Sequence, residues 1–117
     1  MNKVFLAGNL GKDVEIRKTK ADTEFASFSV ATNDGYYDSD GKWVELVEWH
    51  QVITFQKGLV AMLQKHGKKG RKVAITGSLK TNTFRKDGED SDRRATEVLV
   101  GIRGEIEFLD TLPASNG

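Results

Sequence analysis

Only one segment of the chain has the spacing of an α-helix, and the sequence on both sides of it alternates as β-structure does. Leu59, Met62, Leu63 and His66 fall at i, i+3, i+4 and i+7. Gly58 precedes them, and Gly67 stands where a left-handed C-terminal cap is expected. Elsewhere apolar residues recur at every second position in short bursts divided by turn residues, and 117 residues include 12 glycines but a single proline. A mainly β domain with one helix is what this pattern permits.

The bursts can be placed in order. Residues 3–10 read as the first strand, with Gly8 and Gly11 as bend or bulge positions, and residues 14–18 continue it past the bend. Residues 24–32 form the second strand, with Ala26, Phe28 and Val30 on one side and Phe25, Ser27, Ser29 and Ala31 on the other. Asn33-Asp34-Gly35 opens an acidic loop that closes near Asp40-Gly41-Lys42. The third strand, residues 43–55, is long, and Phe25 is expected to meet it across the sheet. After the helix, residues 72–84 alternate Val73, Ile75, Gly77 and Leu79 against Lys72, Ala74, Thr76, Ser78 and Lys80. Residues 94–109 carry Val98, Val100 and Ile102 before a bend at Gly104, and residues 86–92 form a turn-rich hairpin loop between the two runs. Three strands, one helix and two strands is the order of the OB-fold, an all-β five-stranded Greek-key barrel with its helix between strands 3 and 4. One domain spanning residues 1–110 is expected, with residues 111–117 as the start of a linker or a frayed end.

Several chemistries are excluded at this level. Without cysteine there is no disulfide framework, thiolate metal site or thiol nucleophile. Neither a phosphate-binding glycine loop, a nucleophile elbow nor a zinc spacing is present, so no cofactor is expected. Met1 to Gly8 carries one charge and too short an apolar run for a signal peptide or membrane span, which makes a cytoplasmic protein the simplest expectation.

The overall charge of +1 does not by itself call for a polyanion, but its distribution does. From Lys57 to Lys86 nine basic side chains (Lys57, Lys65, Lys68, Lys69, Arg71, Lys72, Lys80, Arg85 and Lys86) are opposed by no acidic one. Just before that tract, Trp49, Gln51, Ile53 and Phe55 share one face of the third strand, which sets the two rings about 20 Å apart at roughly 3.4 Å per residue. Rings at that separation beside a basic tract suit several bases of a single-stranded nucleic acid, and Phe84 adds a ring directly before Arg85 and Lys86. Core packing is the competing reading of Trp49 and Phe55, and Ile53 falls on the same side without a role in binding. Tyr36, Tyr37 and Trp43 flank the acidic loop, where they either close over nucleic acid or fold down on the barrel end. Lys3, Arg17, Lys57, Lys80, Arg85 and Lys86 are candidate phosphate contacts, which position a nucleic acid without reading its sequence. Lys68 to Lys72 is the densest part of the tract, yet its place after the helix can turn it away from the groove. His50 points opposite Trp49, as a core or interface histidine would. Asp38, Asp40, Glu45 and Glu48 are either a solvated acidic face or ligands for a hard cation.

The residues also resemble a known family. Asn2-Lys3-Val4-Phe5-Leu6-Ala7-Gly8-Asn9-Leu10-Gly11-Lys12-Asp13, with Glu15 and Arg17 following, is similar to the opening of the DNA-binding domain of the bacterial single-stranded-DNA-binding proteins. Phe28-Ser29-Val30-Ala31-Thr32, Glu48-Trp49-His50 with Val52, Ile53 and Phe55, Lys69-Gly70, Gly77-Ser78-Leu79 and Thr96-Glu97-Val98 extend the resemblance over nearly all of residues 2–110. It implies base stacking on Trp49, Phe55, Phe84 and Tyr36, the last two being often tryptophan in the family. It implies that His50 lies in a subunit interface, that the chain forms a homotetramer, and that single-stranded DNA wraps around it and is protected in replication, recombination and repair. No catalysis is implied. Family members usually continue into a long linker with an acidic tip that recruits partners, whereas this sequence stops at Gly117, so tail-mediated partners are not expected of it as it stands. Lys72 and Ala74 depart from the family's usual subunit-contact residues, which leaves a dimer as an alternative to the tetramer. Two further alternatives are a tailless primosome-type protein acting mainly through protein contacts and a metal-dependent nuclease on an OB barrel.

Overall fold

The computed structural model describes residues 1–84, 88 and 93–110, with the side chains of Phe84 and Arg93 excepted. Its elements are β1 (Val4–Leu10), β2 (Glu15–Lys18), β3 (Glu24–Tyr37), β4 (Trp43–Thr54), α1 (Lys57–His66), β5 (Lys72–Phe84), β6 (Arg93–Val100) and β7 (Glu105–Phe108). Five of the strands close on themselves. β1 pairs with β3, β3 with β4, β4 with β6, β6 with β5, and β5 returns to β1. Every seam is antiparallel except β4–β6, where Val52, Ile53 and Thr54 lie parallel to Val98, Leu99 and Val100. This is the closed barrel that the strand order predicts, with the helix on the connection from β4 to β5.

Alternation decides what the barrel encloses. Leu10, Ala26, Phe28, Val30, Val52, Val73, Ile75, Val98 and Val100 turn inward and are buried, and Val60 and Leu63 of α1 join them. Thr54 is a fully buried polar residue, and its hydroxyl donates to the carbonyl of Val100 at 2.8 Å across the parallel seam. A buried hydroxyl left unpaired there costs about 1–3 kcal/mol, which makes this bond part of the closure.

Several boundaries differ from the sequence expectation. The second strand does not end at Thr32: β3 runs through Asn33-Asp34-Gly35 and stays in register with β4 as far as Tyr37 opposite Trp43. Turn-type residues are tolerated there because each still has a ladder partner. The connecting loop is only residues 38–42, where the Asp38 carboxylate accepts from the backbone N–H groups of Asp40 and Lys42, and Gly41 takes φ 77°. Gly67 is not a left-handed cap, since its φ is −80°. It is glycine for space: a Cβ there would sit 2.5 Å from Val14 Cγ2 and from the Leu63 carbonyl oxygen. The left-handed residue comes later, at Gly70 with φ 89°. The stretch expected to run past Val100 to a bend at Gly104 is interrupted by a turn, in which Gly104 N–H donates to the Gly101 carbonyl, and β7 then continues along the edge of β5 that β6 occupies, opposite the edge paired with β1. β2, by contrast, continues β1 past the bend as expected, pairing with the next stretch of β3 after Leu10 opposite Val30.

Candidate nucleic-acid interface

A shallow groove runs over the outer face of the barrel where β2, β3, β4, β5 and β6 meet. Arg17, Phe25, Gln51, Ile53, Phe55 and Lys80 are among its walls and floor. Phe25 meets Phe55 as expected, with ring centroids 5.1 Å apart and planes 31° apart, and the pair forms one end of the groove. Ile53 does share this face, as counting predicted, but it is only 8% exposed. It is the floor on which the groove rests, which supplies the role that sequence left open. Gln51 is fixed beside it, donating Nε2–H to Ser27 Oγ at 2.6 Å and accepting from Ser29 Oγ at 3.3 Å.

Trp49 stands two residues up the strand from Gln51 and is 62% exposed, which rules out core packing for this ring. It leans across β3 onto the bend that follows β1: a Cβ on Gly11 would come within 2.1 Å of Trp49 Cζ3. Glycine therefore provides a flat backbone seat for one side of the indole.

The register of the β3–β4 hairpin sorts the loop aromatics. Counting by twos from Trp49 reaches Val47, Glu45 and Trp43, whose partners are Asn33, Gly35 and Tyr37. Tyr37 and Trp43 pack edge to face with centroids 5.1 Å apart, and Trp43 covers Gly35, where a Cβ would sit 2.2 Å from its Cζ2. Tyr36 pairs with Val44 and so shares the opposite side with Thr32, Leu46 and His50. Of the expected stacking rings, the structure brings Trp49 and Phe55 to one face and puts Tyr36 on the other. Phe25, Tyr37 and Trp43 belong to the Trp49 face. The signal for Trp43 was present as its six-residue offset from Trp49 on the expected third strand, whereas that for Tyr37 is readable only once β3 is known to continue through Asn33-Asp34-Gly35. Phe84 closes the described part of β5 with its backbone opposite Arg93.

The basic residues separate in the same way. Lys80 lies on the groove wall, cross-strand from Glu97. Arg17 lies on the rim, held by Glu15 at 2.8 Å in an exposed pair, which contributes about 0–1 kcal/mol and yields readily to a phosphate. Lys57 begins α1 beside Phe55. Lys3 lies apart, in a hollow with Arg103 and Gly104. Arg85 and Lys86, like residues 111–117 and most of the 86–92 loop, lie outside the described residues. Arg71 is lost to the tract altogether: it is 8% exposed, paired with Asp110 at 2.8 Å, and stacked 4.0 Å above the Phe108 ring. The hydrogen bonds that Arg71 donates, together with one from the Lys72 backbone, hold the Asp110 carboxyl below the usual carboxylate range.

On the face away from the groove, His50 Nε2 and Thr32 Oγ1 are hydrogen-bonded at 2.8 Å, and His50 lines a cleft with Phe5, which is 72% exposed. β1 joins β3 only at Asn9 and Leu10, having splayed toward β5 over Val4 to Gly8. Among the described residues that leaves the β3-facing edge of Val4 to Gly8 without a ladder partner. The acidic residues expected as a possible cation site do not converge. Asp38 is engaged by its own loop, Glu45 and Glu48 lie on opposite faces of β4, and no cluster of three metal-ligating side chains occurs among the described residues.

Comparison with known proteins bears on the same residues. The model of the Single-strand binding protein family matches residues 1–109. The single-stranded DNA-binding protein of Rhizobium meliloti (strain 1021) is 38% identical over 112 residues, covering 94% of this chain and 64% of the relative. That of Rickettsia felis is 35% identical over 120 residues, covering 99% and 77%. The chain thus spans less than two thirds of the Rhizobium protein. Among solved structures, a Plasmodium falciparum SSB complex with ssDNA superposes with a TM-score of 0.85 at 29% identity, over 94% of this chain and 96% of that one. A deletion mutant of the single-stranded DNA binding protein from Thermus aquaticus gives 0.74 at 25% identity, over 94% and 51%.

Proposed function

The chain belongs to the Single-strand binding protein family, and from that premise we propose that it binds and protects single-stranded DNA by stacking bases on Trp49, Phe55 and neighbouring rings. The observation that carries this reading is a solvent-facing indole seated on Gly11, on the same face as the Phe25–Phe55 pair and Lys80. Bases of a single strand offer free π faces to such rings, and a duplex hides them. Lys80, Arg17 and Lys57 follow the phosphates and supply affinity that falls with salt. Lys3 contributes only where the strand continues around the barrel. Replication, recombination and repair are the processes that such binding serves. Binding is the reading favoured over nuclease chemistry, since among the described residues Asp38, Glu45 and Glu48 do not gather around one point.

The test is titration with oligo-dT. Tryptophan fluorescence should be quenched, affinity should fall steeply as salt rises, and duplex of equal length should bind far more weakly; equal affinity for duplex sinks the reading. Labelled strands incubated with Mg²⁺ should stay intact.

We further propose self-assembly through the open edge of β1 and the Phe5–His50 side, reaching a homotetramer in which the groove of each copy stays free for DNA. A strand edge with unpaired backbone groups beside an exposed phenyl ring is stable when a second copy covers it. Light scattering should report a multimer for the parent chain and a smaller species for Phe5→Glu; an unchanged mass argues against this interface.

A further inference from the structure

The groove proposed as a path for a polyanion contains a carboxylate. Glu97 lies on β6 next to Val98, which with Val100 turns into the core, so Glu97 faces outward, and it lines the same hollow as Ile53, Phe55 and Lys80. It is half-buried, and Asn82 of β5 donates Nδ2–H to its Oε1. Lys80 is its cross-strand partner, yet no cation lies within ion-pairing distance of it among the described residues. Arg17, the other basic residue of the hollow, is occupied by Glu15.

A carboxylate can only accept hydrogen bonds, and it repels phosphate. A strand lying here must turn base edges toward Glu97 and its phosphates toward Lys80 and the rim. Bases differ in what they then offer. Cytosine presents an exocyclic amino group, as adenine and guanine do, whereas uracil and thymine present a carbonyl oxygen at that position. The nearby amide of Gln51 is already engaged by Ser27 and Ser29 and supplies no competing readout.

We propose that Glu97 is a specificity-determining residue whose carboxylate, oriented by Asn82, accepts from the exocyclic amino group of a base stacked on Phe55. The groove then favours cytosine over uracil or thymine at that position, on a background of sequence-tolerant stacking. This rests on the single-stranded DNA reading above.

The experiment compares equilibrium affinities for oligo-dC and oligo-dU of equal length, above the pH range where cytosine titrates, for the parent chain, Glu97→Gln and Asn82→Ala. In Glu97→Gln the dC/dU affinity ratio should fall about threefold to tenfold, the effect of losing one partly hydrated charge-assisted hydrogen bond, because an amide serves either base. Asn82→Ala should move the ratio the same way by less. An N4,N4-dimethylcytosine oligomer should lose the advantage of oligo-dC on the parent chain, which needs no variant to fold. A charge that merely opposes DNA gives equal tightening of both oligomers in Glu97→Gln with an unchanged ratio, and that result overturns the inference while leaving single-strand binding intact. If neither oligomer binds the parent chain, the reading of the groove fails first.

Discussion

Gly11 and Trp49 act as one unit, because the ring lies against the hydrogen that a larger residue would replace with carbon. Trp49→Ala should lower affinity for oligo-dT by about 1–3 kcal/mol, as loss of a stacking platform does, with the melting temperature nearly unchanged. Gly11→Ala should weaken binding less and also leave the fold intact, since the clash falls on the far end of a side chain free to swing outward; quenching titrations and thermal melts separate these effects. Tyr36 and Trp43 provide a sharper contrast. By their hairpin faces, Trp43→Ala should reduce affinity while Tyr36→Ala leaves it within about twofold, measured under one salt condition, and the reverse order refutes the assignment by register. The sides taken by Trp49, Phe55 and His50 were legible in sequence because alternation holds from residue 49 to residue 55. Ile53 was placed on the correct face but could not be given depth, since counting separates the sides of a strand and does not tell how far a neighbouring ring overhangs. Glu97 was invisible as a site residue: its importance comes from Asn82, Lys80 and Phe55, which reach it only through tertiary pairing.

Among the elements, α1 and β5 were the most readable. Helical spacing at Leu59, Met62, Leu63 and His66 and alternation over residues 72–84 each survive in the fold with nearly the expected bounds. Leu63 is 1% exposed inside the barrel end, so Leu63→Ala should cost about 2–5 kcal/mol, checked by denaturant unfolding with the slope held constant. The β3–β4 hairpin was misjudged because Asn33, Asp34 and Gly35 carry loop propensity, and propensity is a weak force against a ladder continuing to residue 37. Gly67 was misjudged for a different reason. Its glycine answers to Val14, a residue far away in sequence, and local helix rules contain no information about such a neighbour.

At the scale of the whole molecule, the end of the barrel is held by Arg71, which ties the turn before β5 to Asp110 beyond β7. The Asp110 carboxyl titrates below its ordinary value when folded, so this contact stabilises the protein at pH values above the unfolded carboxylate range and is lost as pH falls through the lower, folded value. Asp110→Asn should therefore lower the melting temperature near neutrality, and the gap between variant and parent should narrow progressively in acid. A gap that is constant with pH would assign the effect to packing.

The parallel seam between residues 52–54 and 98–100 also sets the order in which a newborn chain can become whole. On the ribosome β1, β3 and β4 emerge well before β6, and until Val98 and Val100 arrive β4 has a bare edge and the interior has no closing wall. Contacts so distant in sequence form late, because a long loop must close before they contribute. During that interval neighbouring nascent chains present matching open strands to each other, a hazard that ends only with synthesis of the last strands.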